Sequence, residues 1–426
     1  MAGWPTAPTA RPCPRAARPT RSRPRPLEAA AAAGGAYTGR AVPIDTDLRL
    51  DSPPDPALDL TRLDQALALA ESAIGVTEPN PRVGCVIGRA DGRVLGTGAT
   101  QQAGGPHAEV MALRDAAATG QSVRGATAWV TLEPCAHHGR TPPCCDALVA
   151  AGIARVVVAV GDPFPQVDGQ GIARLRAAGI AVDMAGPAMA AAARELNIGF
   201  FSRVRRGRPW VRLKIAASLD GRTALANGLS QWITGAAARV DGHAWRRRAS
   251  AVLTGIGTVR DDDPRLDVRA VPTVLQPLRV VVDSRLETPA TARLLDPPGR
   301  GVWIFAATDD AARRAALAAR GAEVIVLPDP RGKVDLAAML QALAGRGVNE
   351  LHVEAGERLN ASLLRAGLVD ELLVYLAPRL IGPGRDMAAL PALQALEGAL
   401  PFRFIEMQAV GDDIRLRARP PDREVF

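Results

Sequence analysis

The sequence has no run of eighteen or more apolar residues, so it offers no transmembrane helix. It lacks a secretory signal too, because no apolar core of roughly 7–15 residues lies near its start. Cysteine is scarce: five in 426 residues, three of them (Cys135, Cys144, Cys145) inside one short window. That usage excludes a disulfide framework and favours metal or catalytic chemistry in a reducing, cytoplasmic setting. A large charge excess is missing from most of the chain. The formal net charge is +8, but residues 1–40 hold seven arginines against the single acid Glu28, leaving +2 for everything else. A nearly neutral body gives no electrostatic case for nucleic acid. The second half also lacks a Gly-x-Gly-x-x-Gly after its first strand, which excludes an obvious Rossmann dinucleotide fold.

What is present suggests a soluble globular protein of two to three domains. Residues 1–55 form an Arg-, Pro- and Ala-rich tail with no apolar period, read as disordered. Its composition resembles that of organelle transit peptides, but its prolines oppose an amphipathic helix. No second methionine occurs before Met111, so a start downstream stays open. Regular pattern begins near Pro56, with a helix over "LTRLDQALALAESAI" that Asp59 or Thr61 would cap. "VGCVIGRADGRVLGTGAT" predicts a hairpin turning at Ala90-Asp91-Gly92. A helix from His107 to about Thr119 follows, then strand and helix alternate to "IAVDMAG". That alternation predicts an α/β domain over 56–204 with a substantially parallel sheet. "AMAAAARELNIGFFSRV" reads as one helix and Arg205–Pro209 as a linker. A second α/β alternation begins at "WVRLKIAASLDGRTA", giving a further domain over 205–420.

The scarce residues converge. "GPHAEVMAL" and "TLEPCAHHGRTPPCC" set His107, Cys135 and Cys144 at strand–helix junctions. Three such ligands leave a fourth position open, the pattern of a catalytic zinc, which lowers the pKa of a bound water. Glu109 follows His107 by two residues, close enough to shuttle protons without ligating metal. This is the His-x-Glu … Pro-Cys signature of zinc-dependent nucleobase deaminases. Eight residues separate Cys135 from Cys144 where that signature has two, which argues against an ordinary cytidine or tRNA adenosine deaminase. Cys145 is offset by about 100° on its helix and is assigned to packing. His137 and His138 are read as loop residues rather than ligands.

"EPNPRVGCVI", "GPHAEVMAL", "TLEPCAHHGRTPPCCDAL" and "GDPFPQVDGQGI", followed by "KIAASLDGRTA" and "SQWIT", resemble the bifunctional riboflavin-biosynthesis deaminase/reductases over about residues 56–420. The resemblance implies a cytidine-deaminase-like three-layer α/β/α domain followed by a dihydrofolate-reductase-like α/β domain. It implies zinc-dependent hydrolysis of the 2-amino group of 2,5-diamino-6-(5-phosphoribosylamino)pyrimidin-4(3H)-one. NADPH-dependent reduction of the ribosyl group would follow. It assigns zinc to His107, Cys135 and Cys144, proton transfer to Glu109 and a substrate contact to Asn80. In the second domain it places NADPH on Ala216, Trp232, Thr258, Asp262 and Ser284 and on the loop Gly356, Glu357, Arg358, Leu359, Asn360, Ala361 and Ser362. Substrate falls on Ser230, Arg246, Leu266, Arg269 and Glu354, the arginines as phosphate clamps. A helix N-terminus after Gly356 would also suit phosphate.

Two other readings stay open. One is a zinc deaminase acting on another base, with the C-terminal half as a binding or assembly module. The other is a nucleic-acid editor using the arginine tail, which the near-neutral body and the long cysteine spacing oppose. The sequence leaves a homo-oligomer open.

Overall fold

The computed structural model describes residues 53–137, 142–421 and 423. The tail reading falls almost wholly outside them, and so does His138. Chain order in the first domain is α1 (Pro56–Ser72), β1 (Gly84–Gly88), β2 (Val94–Ala99), α2 (Ala108–Ala118), β3 (Thr127–Val130), α3 (Cys144–Ala150), β4 (Arg155–Val158), α4 (Gln170–Ala177), β5 (Ala181–Met184) and α5 (Pro187–Leu196). The five strands lie in the order β2-β1-β3-β4-β5. β1 runs antiparallel to β2 and β3, while β3, β4 and β5 are parallel. α1 and α5 pack together on one side, and α2, α3 and α4 form a second group, giving three layers. Trp129, Ile87, Leu63 and Leu148 fill the core between them.

The cap of α1 is Asp55, not Asp59 or Thr61: its carboxylate accepts from Ala57 N at 2.9 Å, with Pro56 at the first helical position. Asp59 instead accepts from Arg155 and from the Trp129 indole at 2.7–2.8 Å. The spaced glycines of "VLGTGA" have a physical reason. A Cβ on Gly96 or Gly98 would stand 2.3 Å from the carbonyl oxygens of Ala112 or Ala108, so α2 lies at backbone contact with β2. That contact fixes where the start of α2 meets the sheet.

α6 (Ile198–Arg206) packs Phe200 and Phe201 into the first core and leads into the second domain, which follows as β6 (Trp210–Ser218), β7 (Arg222–Leu225), α7 (Ala236–Arg248), β8 (Ala251–Gly255), α8 (Ile256–Asp262), β9 (Leu278–Val282), β10 (Val302–Ala306), α9 (Ala311–Ala318), β11 (Ala322–Val326), α10 (Leu336–Gly345), β12 (Glu350–Val353), α11 (Glu357–Arg365), β13 (Glu371–Ala377), β14 (Gly384–Asp386), β15 (Arg403–Val410) and β16 (Asp413–Arg419). Nine strands form one sheet, β11-β10-β9-β8-β12-β6-β13-β16-β15. It is parallel from β11 to β13, and the C-terminal hairpin β15–β16 adds to it antiparallel. β7 and β14 pair separately.

The single helix expected before the second domain is two, α5 and α6, broken at Asn197. The Asn197 amide accepts from Arg82 N and donates to Arg82 O, both at 2.8 Å, so it acts as a strand partner for a distant backbone. α6 then runs into the expected linker as far as Arg206 and stops at Gly207, whose φ is 66°.

Buried ion pairs join the two domains. Glu350, at the start of β12, accepts from Arg82 (2.7 Å), Arg212 (2.7 Å) and Arg248 (2.9 Å). Arg82 also donates to the carbonyls of Leu196 and Arg248. Burial alone would raise the Glu350 carboxyl, but Arg248, Arg82 and Arg212 hold it well below the usual carboxylate range. Glu350→Gln leaves these guanidinium groups without their anion. It is expected to cost about 3–5 kcal/mol, as breaking a buried pair does, measured by urea unfolding. A carboxyl depressed in the folded state stabilises above its unfolded pKa of 4.5 and loses that contribution as the pH falls below it. The wild type should therefore lose stability on acidification more steeply than the variant.

Candidate functional site

His107 is the N-cap residue of α2 and makes no side-chain cap, so its ring is free for other partners. Cys135 lies on the loop after β3, and Cys144 opens α3. Nδ1 of His107 stands 3.6 Å from Cys135 Sγ and 3.3 Å from Cys144 Sγ. All three donor atoms lie within 4.8 Å of one another. One imidazole nitrogen and two sulfurs are the borderline-soft donor set that zinc prefers, so the residues present fit that ion. Cys145 points away, to the carbonyls of Pro134 and Gly171, and burial pushes its thiol up to about 12. A hydrogen bond from the Cys144 thiol lowers Cys135 to about 4, while the Cys144 thiol is raised. A divalent cation would hold both sulfurs as thiolates.

Glu109, in the first turn of α2, is almost fully buried. Burial, then the Cys135 thiolate, pushes its carboxyl up to about 7. A carboxyl near neutrality suits proton transfer in either direction. His107, Glu109, Cys135 and Asn80 line one cavity of about 380 Å³. His137, Asp162, Phe164, Phe200 and Arg203 line it too. The His137 ring lies 6.0 Å from that of Phe164. Asp162 accepts from Phe164 N at 2.8 Å, and burial raises it to about 7. Asp162 and Arg203 received no role from the sequence. Asp162 carried a signal, the Gly-Asp-Pro turn after a strand; Arg203 carried none.

A second cavity, in the C-terminal domain, is lined by Lys214, Thr234, Arg239, His243, Arg246, Glu354 and Tyr375 among others. Arg246 and Glu354 form a two-pronged ion pair at 2.5 and 2.8 Å, and Arg246 also donates to Asp267 O. The Asp267 carboxylate in turn holds Arg269 at 2.7 Å. Ser230 hydrogen-bonds Asp262 at the end of α8. Gly255 faces Leu359, and Gly356 faces Thr258, so the starts of α8 and α11 adjoin. Gly356 has φ −79°, open to any residue, and a Cβ there would meet only Thr258 Oγ1 at 3.9 Å. That cradle, beside the free N–H groups of a helix start, fits a phosphate-bearing cofactor.

Other expected contacts sit apart from this cavity's walls. Trp232 is 59% exposed, with the Arg239 guanidinium 4.6 Å above its ring. Ala216 pairs in register with Tyr375. Ser284 Oγ accepts from Val334 N, and Leu266 is buried with φ 53°. Ser362 bonds its own helix at Arg358 O, and Asn360 donates to Met387 O. Lys214, which shares β6 with Arg212, received no role from the sequence. It is half-buried 5.9 Å from the Tyr375 ring, and burial lowers its ammonium.

Residues 58–160 match the cytidine and deoxycytidylate deaminase zinc-binding region, and residues 209–416 match the RibD C-terminal domain. The riboflavin biosynthesis protein RibD of Escherichia coli (strain K12) is 46% identical over 365 residues, covering 83% of this chain and 96% of that one. The chain belongs to the RibD family. A RibD of Aquifex aeolicus is 40% identical, over 84% of this chain and 97% of its own. The solved structure of Acinetobacter baumannii RibD superposes with a TM-score of 0.79 at 41% identity, covering 86% of this chain and 100% of that one.

As a RibD, the protein is a bifunctional deaminase and reductase of riboflavin biosynthesis, a hydrolase and an oxidoreductase in one chain. Its fold is a cytidine-deaminase-like domain followed by the RibD reductase domain. Zinc and NADPH are its cofactors. No described helix is long and apolar enough to cross a membrane.

Proposed function

We propose that residues 56–204 deaminate 2,5-diamino-6-(5-phosphoribosylamino)pyrimidin-4(3H)-one and that residues 205–420 reduce the product to 5-amino-6-(5-phosphoribitylamino)uracil, in the cytoplasm. The observation that carries the reading is the cluster of His107, Cys135 and Cys144 donor atoms within 4.8 Å, with His107, Cys135 and the buried Glu109 lining one cavity. His107, Cys135 and Cys144 hold zinc, which when bound supplies Lewis-acid activation of water. Glu109 takes a proton from the attacking water and delivers it to the departing amine. The C2–N bond breaks, ammonia leaves, and a C2 carbonyl remains with the water's second proton on the ring nitrogen. Asn80, on the cavity wall, orients the ring.

In the second domain, NADPH, when bound, would supply the hydride for reduction at C1′ of the open-chain Schiff base, whose nitrogen would take a proton. Cofactor lies along Ala216, Trp232, Thr258, Asp262, Ser284 and the Gly356–Ser362 turn. Substrate meets Ser230, Arg246, Leu266, Arg269 and Glu354. The Arg246–Glu354 pair leaves Arg246 fewer donors for phosphate than a free guanidinium has, so Arg269, whose side chain is half exposed, carries more of that clamp.

Gly356→Val tests the cofactor site. Neither φ nor a protein neighbour obstructs an added Cβ, and because valine caps a helix less well than glycine, melting should fall only modestly. The cradle would be filled, and KM for NADPH should rise about tenfold or more, the equivalent of about 1.4 kcal/mol. An unchanged KM for NADPH would move the cofactor away from this turn. Ammonia release from the diaminopyrimidinone substrate tests the first half. A zinc-loaded protein that released none would refute the reading.

A further inference from the structure

Helix α6 carries Arg203, Arg205 and Arg206. Two of them face carboxylates: Arg205 stands 3.6 Å from Asp168, and Arg206 stands 3.1 Å from Asp370. Arg203 makes no ion pair with a carboxylate among the described residues, although the charge of Glu78 acts on it. It lines the deaminase cavity, together with Asn80, Glu109 and Asp162. Two contacts fix its guanidinium. Nε donates to Asn349 Oδ1 at 2.6 Å, and Cζ lies over the ring of Phe200, 5.5 Å from its centroid, a buried ring on the same wall. Both terminal nitrogens are left without a partner among the described residues. Asn349 belongs to the reductase domain, next to Glu350. Its Nδ2 also donates to Pro79 O at 2.9 Å and to Glu78 at 3.1 Å, beside Asn80. Among the described residues of the wall, Arg203 is the single permanent cation, and two of the three acids there, Glu133 and Asp162, are engaged by backbone N–H groups, leaving Glu109. Glu133 accepts from the N–H groups of Gly169 and Ile172, and Asp162 accepts from Phe164 N.

We propose that Arg203 binds the phosphate of the deaminase substrate and that Asn349, reaching across from the reductase domain, is its positioning residue. The inference rests on the substrate class assigned above. A planar guanidinium anchored at Nε and along one face presents its two outer nitrogens as a fork, the geometry that grips a phosphate monoester. An arginine left without a carboxylate at a cavity wall fits an anion brought by the ligand. The reductase domain thereby completes a recognition site in the deaminase domain.

The test compares deamination of the phosphorylated substrate and of its dephosphorylated riboside by zinc-loaded wild type, Arg203→Gln, Arg203→Lys and Asn349→Ala. Zinc content and melting temperature are read alongside. Arg203→Gln should raise KM for the phosphorylated substrate about 10- to 100-fold, the range of a charge-assisted hydrogen bond, with kcat little changed. The riboside should be processed as by wild type. Arg203→Lys should recover part of the loss, and Asn349→Ala should raise the same KM by less. Inorganic phosphate, titrated calorimetrically into each protein, should lose one site in Arg203→Gln. Equal losses on both substrates, or unchanged phosphate stoichiometry, would overturn the proposal. If wild type deaminated neither compound, the function assigned above would fail, while the phosphate titration would still decide the role of Arg203.

Discussion

His107→Ala is expected to abolish deamination while leaving reduction of supplied deaminated intermediate largely intact. The ring nitrogen is one of three donors within 4.8 Å, and removing it leaves only the two sulfurs. Two thiols without the imidazole make an incomplete set for a tetrahedral zinc that keeps one open position. Metal content should fall with activity, and added zinc should restore little. The reductase cavity has its own lining, with no residue from the deaminase domain, so its turnover is the control. Retained deamination would remove His107 from the metal site, and a parallel collapse of both activities would mean that the change unfolds the protein.

Glu109→Gln separates chemistry from metal binding. The amide keeps the shape of the carboxylate and its place in the first turn of α2, so zinc and fold should persist. What it loses is the ability to take and return a proton, a contribution of about 10²–10⁴-fold in rate. The drop should appear in kcat with substrate affinity nearly held. Loss of zinc from the variant would make Glu109 a ligand or a structural prop.

The cluster of His107, Cys135 and Cys144 was legible because its signature is local. His-x-Glu and Pro-Cys sit at strand–helix junctions, and folding needs only to bring two short segments together. The alternation of strands and helices was legible for a related reason: buried parallel strands such as "RVVV" and "LRVVV" are nearly continuous apolar runs. The C-terminal hairpin was not. β16 carries Arg415, Arg417 and Arg419 at alternate positions, a pattern that reads as solvated. Its partners come from far along the chain: Glu195 and Glu371 for Arg417 and Arg419, Asp241 for Arg415, with Trp245 stacked beneath Arg415 and Arg417. The break at Asn197 and the anchoring of Arg203 share that cause. Each depends on a hydrogen bond over more than a hundred residues, Asn197 to Arg82 and Arg203 to Asn349. The cap of α1 was misplaced for a nearer reason, since the apolar period starts after the helix does and hides Asp55-Pro56.

The central claim is that one chain deaminates first and reduces second. Zinc-loaded protein mixed with the diaminopyrimidinone ribosyl phosphate and NADPH, with ammonia and NADPH followed together, tests it most directly. The account predicts that ammonia appears first, that NADPH oxidation follows after a lag, and that the two reach equal amounts. NADPH oxidation that precedes ammonia release, or proceeds without it, would contradict the account.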